Sequence, residues 1–330
     1  MKKNLSGKHF LKLADFTNEE ILHLVHLSKK FKKMKKNKIP HKFLDGKNIV
    51  LLFEKTSTRT RCSFEVASND LGINTTFIDC NTSQLGHKES IEDTGKVLSK
   101  IYDGIEYRGF SHSSLESLAK NSTVPVWNGL TDTWHPTQII GDLLTIYEHF
   151  GYLKNLKLVF IGDTQNNVAN SLLIACTKLG INFVACGPKE LHPNKNIIEL
   201  ATKISKENST NFTITEDIDL AIENADIIYT DVWFSMGDPQ DTWKKKINLL
   251  KKYQVNSKLM SLTNKNTVFL HCLPAFHDDN STLGKQLEKD FNLKGLEVTD
   301  EIFNSPQSLV FEQSENRMHS IKAIIYSTLV

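Results

Sequence analysis

Residues Ser57-Thr58-Arg59-Thr60-Arg61 place three hydroxyls and two guanidinium groups in five consecutive positions. Hydroxyls donate to oxyanions, and arginine adds a planar fork matched to phosphate oxygens. The apolar run Ile49-Val50-Leu51-Leu52-Phe53 before them reads as a buried strand. The segment after them has helical spacing, with Phe64, Val66, Ala67 and Leu71 apolar. The five residues therefore occupy a strand-to-helix turn. Free backbone N–H groups and the positive end of the helix dipole complete an anion site there, best matched to a phosphate. A capped helix with arginines on its wet face would use the same residues, but so dense a group of donors favours the ligand.

Other reactive side chains follow other apolar runs. Arg108 closes a strand at 103–107, and His135-Pro136-Thr137-Gln138 comes a few residues after a short strand at 124–127. Asn166-Asn167 follows a strand at 158–162. Asp231 through Gly237 follows one at 226–229, and His271-Cys272-Leu273-Pro274 one at 268–271. Each has an ordinary reading taken singly. Arg108 would be a surface arginine, His135 a helix cap, Asp231 a turn carboxylate and Cys272 a small buried hydrophobe. Ligands of doubly wound sheets bind beyond the carboxyl ends of the strands. The shared placement therefore points to a cleft between two domains.

The elements that must position these groups alternate. The first half reads as helix 17–34, strand 47–54, helix 58–71, strand 73–78, helix 90–101, strand 103–107, helix 113–120 and strand 124–127. A helix at 137–150 has no strand of its own in that half and is expected to bridge two domains. A second series supplies the strands already named, one at 182–186 and a weaker one near 296–299. A last helix runs from 315 to 329. Such alternation predicts α/β architecture with two doubly wound, mostly parallel sheets. Boundaries fall at 1–150, 151–312 and 313–330. The polar, lysine-rich segment 237–265 is expected to be a long loop that moves over or covers a site. The turn Gly162-Asp163-Thr164-Gln165-Asn166-Asn167 lacks G-x-G-x-x-G, which disfavours a nicotinamide cofactor and a dehydrogenase.

Composition is that of an ordinary globular chain of 330 residues, with a net charge of +2 that makes no case for nucleic acid. The basic run from Lys29 to Lys36 reads as the wet end of a surface helix rather than a polyanion patch. Five cysteines, without a CxxC pair, argue against a structural metal or a disulfide framework. No apolar run is long enough to span a bilayer and the N-terminus lacks a signal-peptide core, so the expected location is a reducing cytoplasm.

Taken together, Phe53 through Arg61, His135 through Gln138, Asp231 through Gly237, His271 through Pro274 and Glu315-Asn316-Arg317 resemble the blocks of the carbamoyltransferase superfamily, in order and spacing. Ser235-Met236-Gly237 and His271-Cys272-Leu273-Pro274 resemble its ornithine branch. The resemblance covers essentially the whole chain. It implies that 1–150 binds carbamoyl phosphate, that 151–312 binds ornithine and that 313–330 packs back on the first domain. Ser57, Thr58, Arg59 and Thr60 would hold the phosphate, and Arg317 would reach the same ligand. Arg108 and His135 would polarise the carbonyl oxygen, and Gln138 would bind the carbamoyl amide. Asn167 and the Met236 backbone would take the α-carboxylate of ornithine, and Asp231 and Ser235 its α-ammonium. Cys272, with Leu273, would lie beside the reacting δ-amine and the carbamoyl group. Arg108, His135, Asp231 and Cys272 are thus the implied catalytic residues. Gln84 resembles a residue that enters a neighbouring subunit's site, which implies a homotrimer or an assembly of trimers. The resemblance requires no metal, cofactor or covalent intermediate. Putrescine is the rival acceptor; an α-carboxylate site argues against it. A non-enzymatic binding protein would more readily have lost Arg59 or Cys272, and both are present.

Overall fold

The computed structural model describes residues 5–80, 88–234, 240–280, 282–291 and 293–330. Two compact units emerge, Met1–Gly151 with Ser314–Val330, and Tyr152–Gln313.

The first unit runs α1 (Asn18–Lys36), β1 (Asn48–Phe53), α2 (Thr58–Leu71), β2 (Asn74–Asp79), α3 (Ile91–Ile101), β3 (Gly104–Arg108), α4 (His112–Lys120), β4 (Val126–Leu130) and α5 (Pro136–Phe150). All pairings are parallel, in the order β2-β1-β3-β4. Five successive residues of β1 are buried, as a strand covered on both faces requires. Val50, Leu52, Ile105 and Tyr107 pack on one face with Leu98, Leu115 and Leu118 of α3 and α4. The strand order reverses beside β1, which pairs with both β2 and β3. Phe53 and Arg108 are register partners at the carboxyl edge of that switch point, where parallel sheets hold ligands.

The second unit contains β5 (Lys157–Ile161), α6 (Asn167–Leu179), β6 (Asn182–Cys186), α7 (Lys195–Asn208), β7 (Phe212–Thr215), α8 (Ile218–Ile222), β8 (Ile227–Thr230), α9 (Gln240–Leu250), α10 (Ser257–Ser261), β9 (Val268–His271), α11 (Thr282–Phe291) and α12 (Asp300–Phe303). Its sheet is again wholly parallel, in the order β7-β6-β5-β8-β9, with the reversal between β5 and β8. The last helix, α13 (Val310–Leu329), starts in this unit and ends in the first.

The helix after β4, α5, packs on α1 in the first unit and ends in its Gly151 cap, directly before the second unit begins. Lys32 of α1 binds Glu148 of α5 at 2.9 Å and Asn316 of α13 at 2.8 Å, and Asn316 donates to Thr145 at 3.0 Å. Segment 237–265 is not one long loop, because α9 and α10 lie in it. Trp243, Ile247 and Leu250 recur at helical spacing and enter the core, a period masked by the surrounding lysines. No strand forms at 296–299. Val298 makes a single bridge to Val255, and the apolar alternation there reflects loop residues buried in the core. The edge strand β7 was not foreseen, being short and half polar. Among the described residues, no helix is long and apolar enough to cross a membrane.

One ionic cluster fastens α13 to the rest of its unit. Lys322 is fully buried and its ammonium pairs with Asp70 at the end of α2, which also accepts from Lys35 at 2.6 Å. Burial opposes ionisation of Asp70, but hydrogen bonds from Lys322 and Lys35 outweigh it and hold the carboxyl below its usual range. Asp70→Asn leaves Lys322 buried without its counter-charge. We expect a loss on the order of 3 kcal/mol in urea unfolding. The sign with pH follows from the lowered value: the contribution of Asp70 is complete above the ordinary carboxylate range and fades as pH falls through its folded pKa. The acid-side decline in stability should therefore be shallower in the asparagine variant.

Candidate active site

In the first unit, the turn after β1 becomes the start of α2. Ser57 is its N-cap, with Oγ accepting from Thr60 N–H at 3.2 Å. That cap turns Thr60 inward, where it is fully buried. Arg108, the last residue of β3, donates from Nη1 to Thr60 Oγ1 at 3.3 Å. Arg317, from α13, donates from Nη2 to the same oxygen at 2.9 Å. Two guanidinium groups thus converge on one hydroxyl, whose own O–H remains available to a ligand. Thr58 is exposed and Arg59 half-buried on the same turn. Arg61 does not share in the site. It is exposed, paired with Glu65 at 2.8 Å and stacked over the Phe77 ring at 3.7 Å, so the wet-face reading holds for it.

His135 caps α5, and Pro136 occupies the first helical position, where its missing N–H removes no bond. The imidazole is buried. Burial, followed by the charges of Arg317 and Arg108, holds its pKa well below the ordinary value, so the ring is neutral at pH 7. One turn on, buried Gln138 donates Nε2 to Asp142 at 2.7 Å. This fixes the amide with Oε1 directed away, and that oxygen has no partner among the described residues. It suits an N–H donor on a ligand. The whole arrangement offers cationic forks, a hydroxyl, a helix N-terminus, a neutral imidazole and a carbonyl acceptor. Such groups can seat a phosphate and an adjoining carbonyl-amide.

In the second unit, Asp231 follows β8 and Cys272 follows β9. Cys272 Sγ donates to Asp231 Oδ1 at 3.0 Å, and Val232 N–H donates to the same oxygen at 2.8 Å. Asn166, the N-cap of α6, donates to Asp231 Oδ2 at 3.2 Å. Asn167, the residue singled out in the sequence, is the first of that helix. Burial raises the pKa of Asp231, and His271, the thiol and the Val232 N–H only partly offset it. A carboxylate with a raised pKa beside a thiol accepts a proton more readily than an ordinary one. Gln84, Ser235, Met236 and Gly237 lie outside the described residues.

Two acids, Glu106 and Glu297, escaped sequence reasoning. Glu106 is fully buried on β3, close enough for Arg108 and Arg317 to act on it. His271 and Glu297 form a buried pair, Nε2 to Oε1 at 3.3 Å. His271 Nδ1 accepts from Leu273 N–H at 2.9 Å, which leaves Nε2 as the ring nitrogen that bears hydrogen, facing Glu297. Leu273 has φ +57°, a left-handed conformation that disfavours a leucine by about 1–2 kcal/mol. Each acid stands alone in an apolar strand-like run, and that isolation was the available signal. Glu297 also accepts from Phe276 N–H at 2.6 Å. Glu297→Ala should cost about 2–3 kcal/mol in unfolding and speed hydrogen exchange at the Leu273 amide. Unchanged exchange there would remove the clamp on the Cys272–Leu273 turn.

Comparison with known proteins agrees with the geometry. Residues 8–148 match the aspartate/ornithine carbamoyltransferase carbamoyl-P binding domain, and residues 154–328 the Asp/Orn binding domain of the same family. An ornithine carbamoyltransferase named as catabolic from Treponema denticola is 57% identical over 327 residues, 99% of this chain and 97% of the relative. One from Bacillus cereus, likewise named, is 53% identical over 329 residues, 99% of this chain and 98% of its own. The solved ornithine carbamoyltransferase of Pyrococcus furiosus superimposes with a TM-score of 0.91 at 39% identity, covering 99% of this chain and 98% of that one. With a phosphate-type site in one unit, an acid–thiol site in the other and a domain match for each, the chain belongs to the aspartate/ornithine carbamoyltransferase family.

Proposed function

We infer that this chain transfers the carbamoyl group of carbamoyl phosphate to the δ-amine of L-ornithine, giving L-citrulline and phosphate. The observation that carries the reading is the convergence of Arg108 and Arg317 on Thr60 beside a neutral, buried His135. Ser57, Thr58, Arg59, Thr60 and Arg317 bind the phosphate. Arg108 and His135 donate to the carbonyl oxygen as it gains charge, which is stabilisation by fixed dipoles and charges. Gln138 Oε1 accepts from the carbamoyl amide, and Cys272 and Leu273 border that group. Asn167, Ser235 and Met236 hold the α-amino acid end of ornithine together with Asp231. The δ-nitrogen forms a bond to the carbonyl carbon, the carbon–oxygen bond to phosphate breaks, and the amine proton leaves through the Asp231–Cys272 pair. Free ornithine is protonated at that nitrogen, so the rate should climb with pH.

A citrulline assay with ornithine and putrescine in competition tests the acceptor. Ornithine should be used strongly preferentially, and equal use of putrescine would overturn the assignment. Arg59→Ala removes a charge-assisted fork to phosphate, a loss on the order of 2–5 kcal/mol in carbamoyl phosphate binding. A folded variant with near-normal turnover would contradict the phosphate site.

The same site run in reverse would phosphorolyse citrulline. The names of the Treponema and Bacillus relatives favour that use, and phosphate-dependent release of ornithine from citrulline measures it. We place the reaction in the cytoplasm, where thiols such as Cys272 stay reduced. We further propose a homotrimer in which Gln84 serves a neighbour's site. A head-to-tail ring lends one loop and borrows another. Mixed trimers of Arg59→Ala chains with chains altered at Gln84 and His87 should regain activity at about one site in four. Absence of any gain in verified hybrids would confine the site to one chain.

A further inference from the structure

Glu106 is built into the first unit at some expense to its regularity. It is fully buried, and neither carboxyl oxygen has a hydrogen-bond partner among the described residues. Pairing of β3 with β4 runs Glu106 to Trp127 and Tyr107 to Asn128, then jumps to Arg108 with Leu130. Gly129 is the extra residue of that bulge. A Cβ placed on Gly129 would stand 1.8 Å from Glu106 Oε1. The strand therefore bulges, and carries a glycine there, to leave room for the carboxyl group.

A packing role would be met more easily by an apolar residue, since a lone buried carboxylate is costly. The surroundings explain why an acid stands here. Arg108 lies two residues on in the same strand, and Arg317 approaches from α13. Cys80, after β2, is the other titratable group that feels Glu106, and burial before all else pushes its thiol up to about 12, so it stays neutral. β1 and β4 set Leu51 and Trp127 in register with it. Among the described residues, the charged groups that act on it are thus the two arginines that meet at Thr60.

We propose that Glu106 is a proton-linked counter-charge to the anion site, taking up a proton from solvent as a phosphate dianion settles among Arg108, Arg317 and the turn at 57–60. Before the ligand arrives, an ionised Glu106 offsets part of the arginine charge. The dianion then supplies that charge itself, and a second buried anion beside it is disfavoured. Burial already raises the pKa of Glu106, with the two arginines pulling against it. The ligand tips that balance toward the acid. The inference rests on the carbamoyl phosphate reading of this unit and deepens it.

Calorimetry of the full chain with inorganic phosphate, in buffers of different ionisation enthalpy, counts the protons taken up. The phosphate's own protonation contributes equally to wild type and Glu106→Gln. The glutamine variant should still bind, while wild type takes up more protons, by up to one per site, with the difference growing from neutral to mildly alkaline pH. Equal proton counts across that range would overturn the inference. Infrared difference spectra of the wild type need no variant: a carboxylic acid C=O band should appear on adding phosphate, and its absence would overturn the inference too. Failure of the folded wild type to bind phosphate would instead bring down the carbamoyl phosphate reading beneath it.

Discussion

Two guanidinium groups that meet at one buried hydroxyl repel each other, and much of the first unit serves to hold them there. Arg108 is fixed because it ends a central strand. Arg317 is fixed because α13 is fastened by Lys322 to Asp70 and by Asn316 to α1 and α5. Thr60 is fixed by the Ser57 cap. At an effective dielectric of about 20, like charges a few ångströms apart repel by several kcal/mol. An anion seated between them would relieve that repulsion, which suits the position to a ligand better than to packing alone. The neutral state of His135 has the same origin, since two neighbouring cations and burial each exclude a third charge.

The second unit reverses the sign. Where the first gathers donors, this one gathers Asp231, a thiol and a half-buried turn whose backbone is held by the His271–Glu297 pair. Asp231 is satisfied on both oxygens by neutral donors. It is therefore held in place without being neutralised, and its raised pKa keeps it able to take a proton. The two units thus offer opposite environments, one suited to an anion and one to a cation, with the same architectural device: side chains set just beyond the carboxyl edge of a parallel sheet.

Legibility in the sequence tracked locality. β1, β5, β8 and β9 were visible as apolar runs because each is buried on both faces. Ser57 and Thr60 were readable as a helix start because capping is decided within four residues. Residues that depend on distant partners were not readable. Nothing near Glu106 in the chain announces that Arg317 will lie close to it, and nothing near Arg61 announces that Phe77 will occupy it. The helix α9 was hidden for a different reason. Its buried face is narrow, and lysines on the remaining positions gave the segment the composition of a loop. At 296–299 the error ran the other way, since buried loop residues can alternate as a strand does without a neighbour to pair with.

The division of the chain has a further consequence, in the order of synthesis. The first unit is discontinuous: its opening 151 residues are joined by the last 17, and the second unit lies in sequence between them. Gly7 N–H donates to Thr328 O at 2.9 Å, and Trp127 Nε1 to Thr328 Oγ1 at 2.9 Å, so early and late segments of the sequence meet in one structure. A ribosome delivers the second unit whole before it delivers Arg317. Until those final residues emerge, the first unit lacks both its closing helix and one of the two cations at Thr60. A prematurely terminated chain missing only this tail would thus contain every described strand of both sheets and yet lack the Arg317 guanidinium at Thr60.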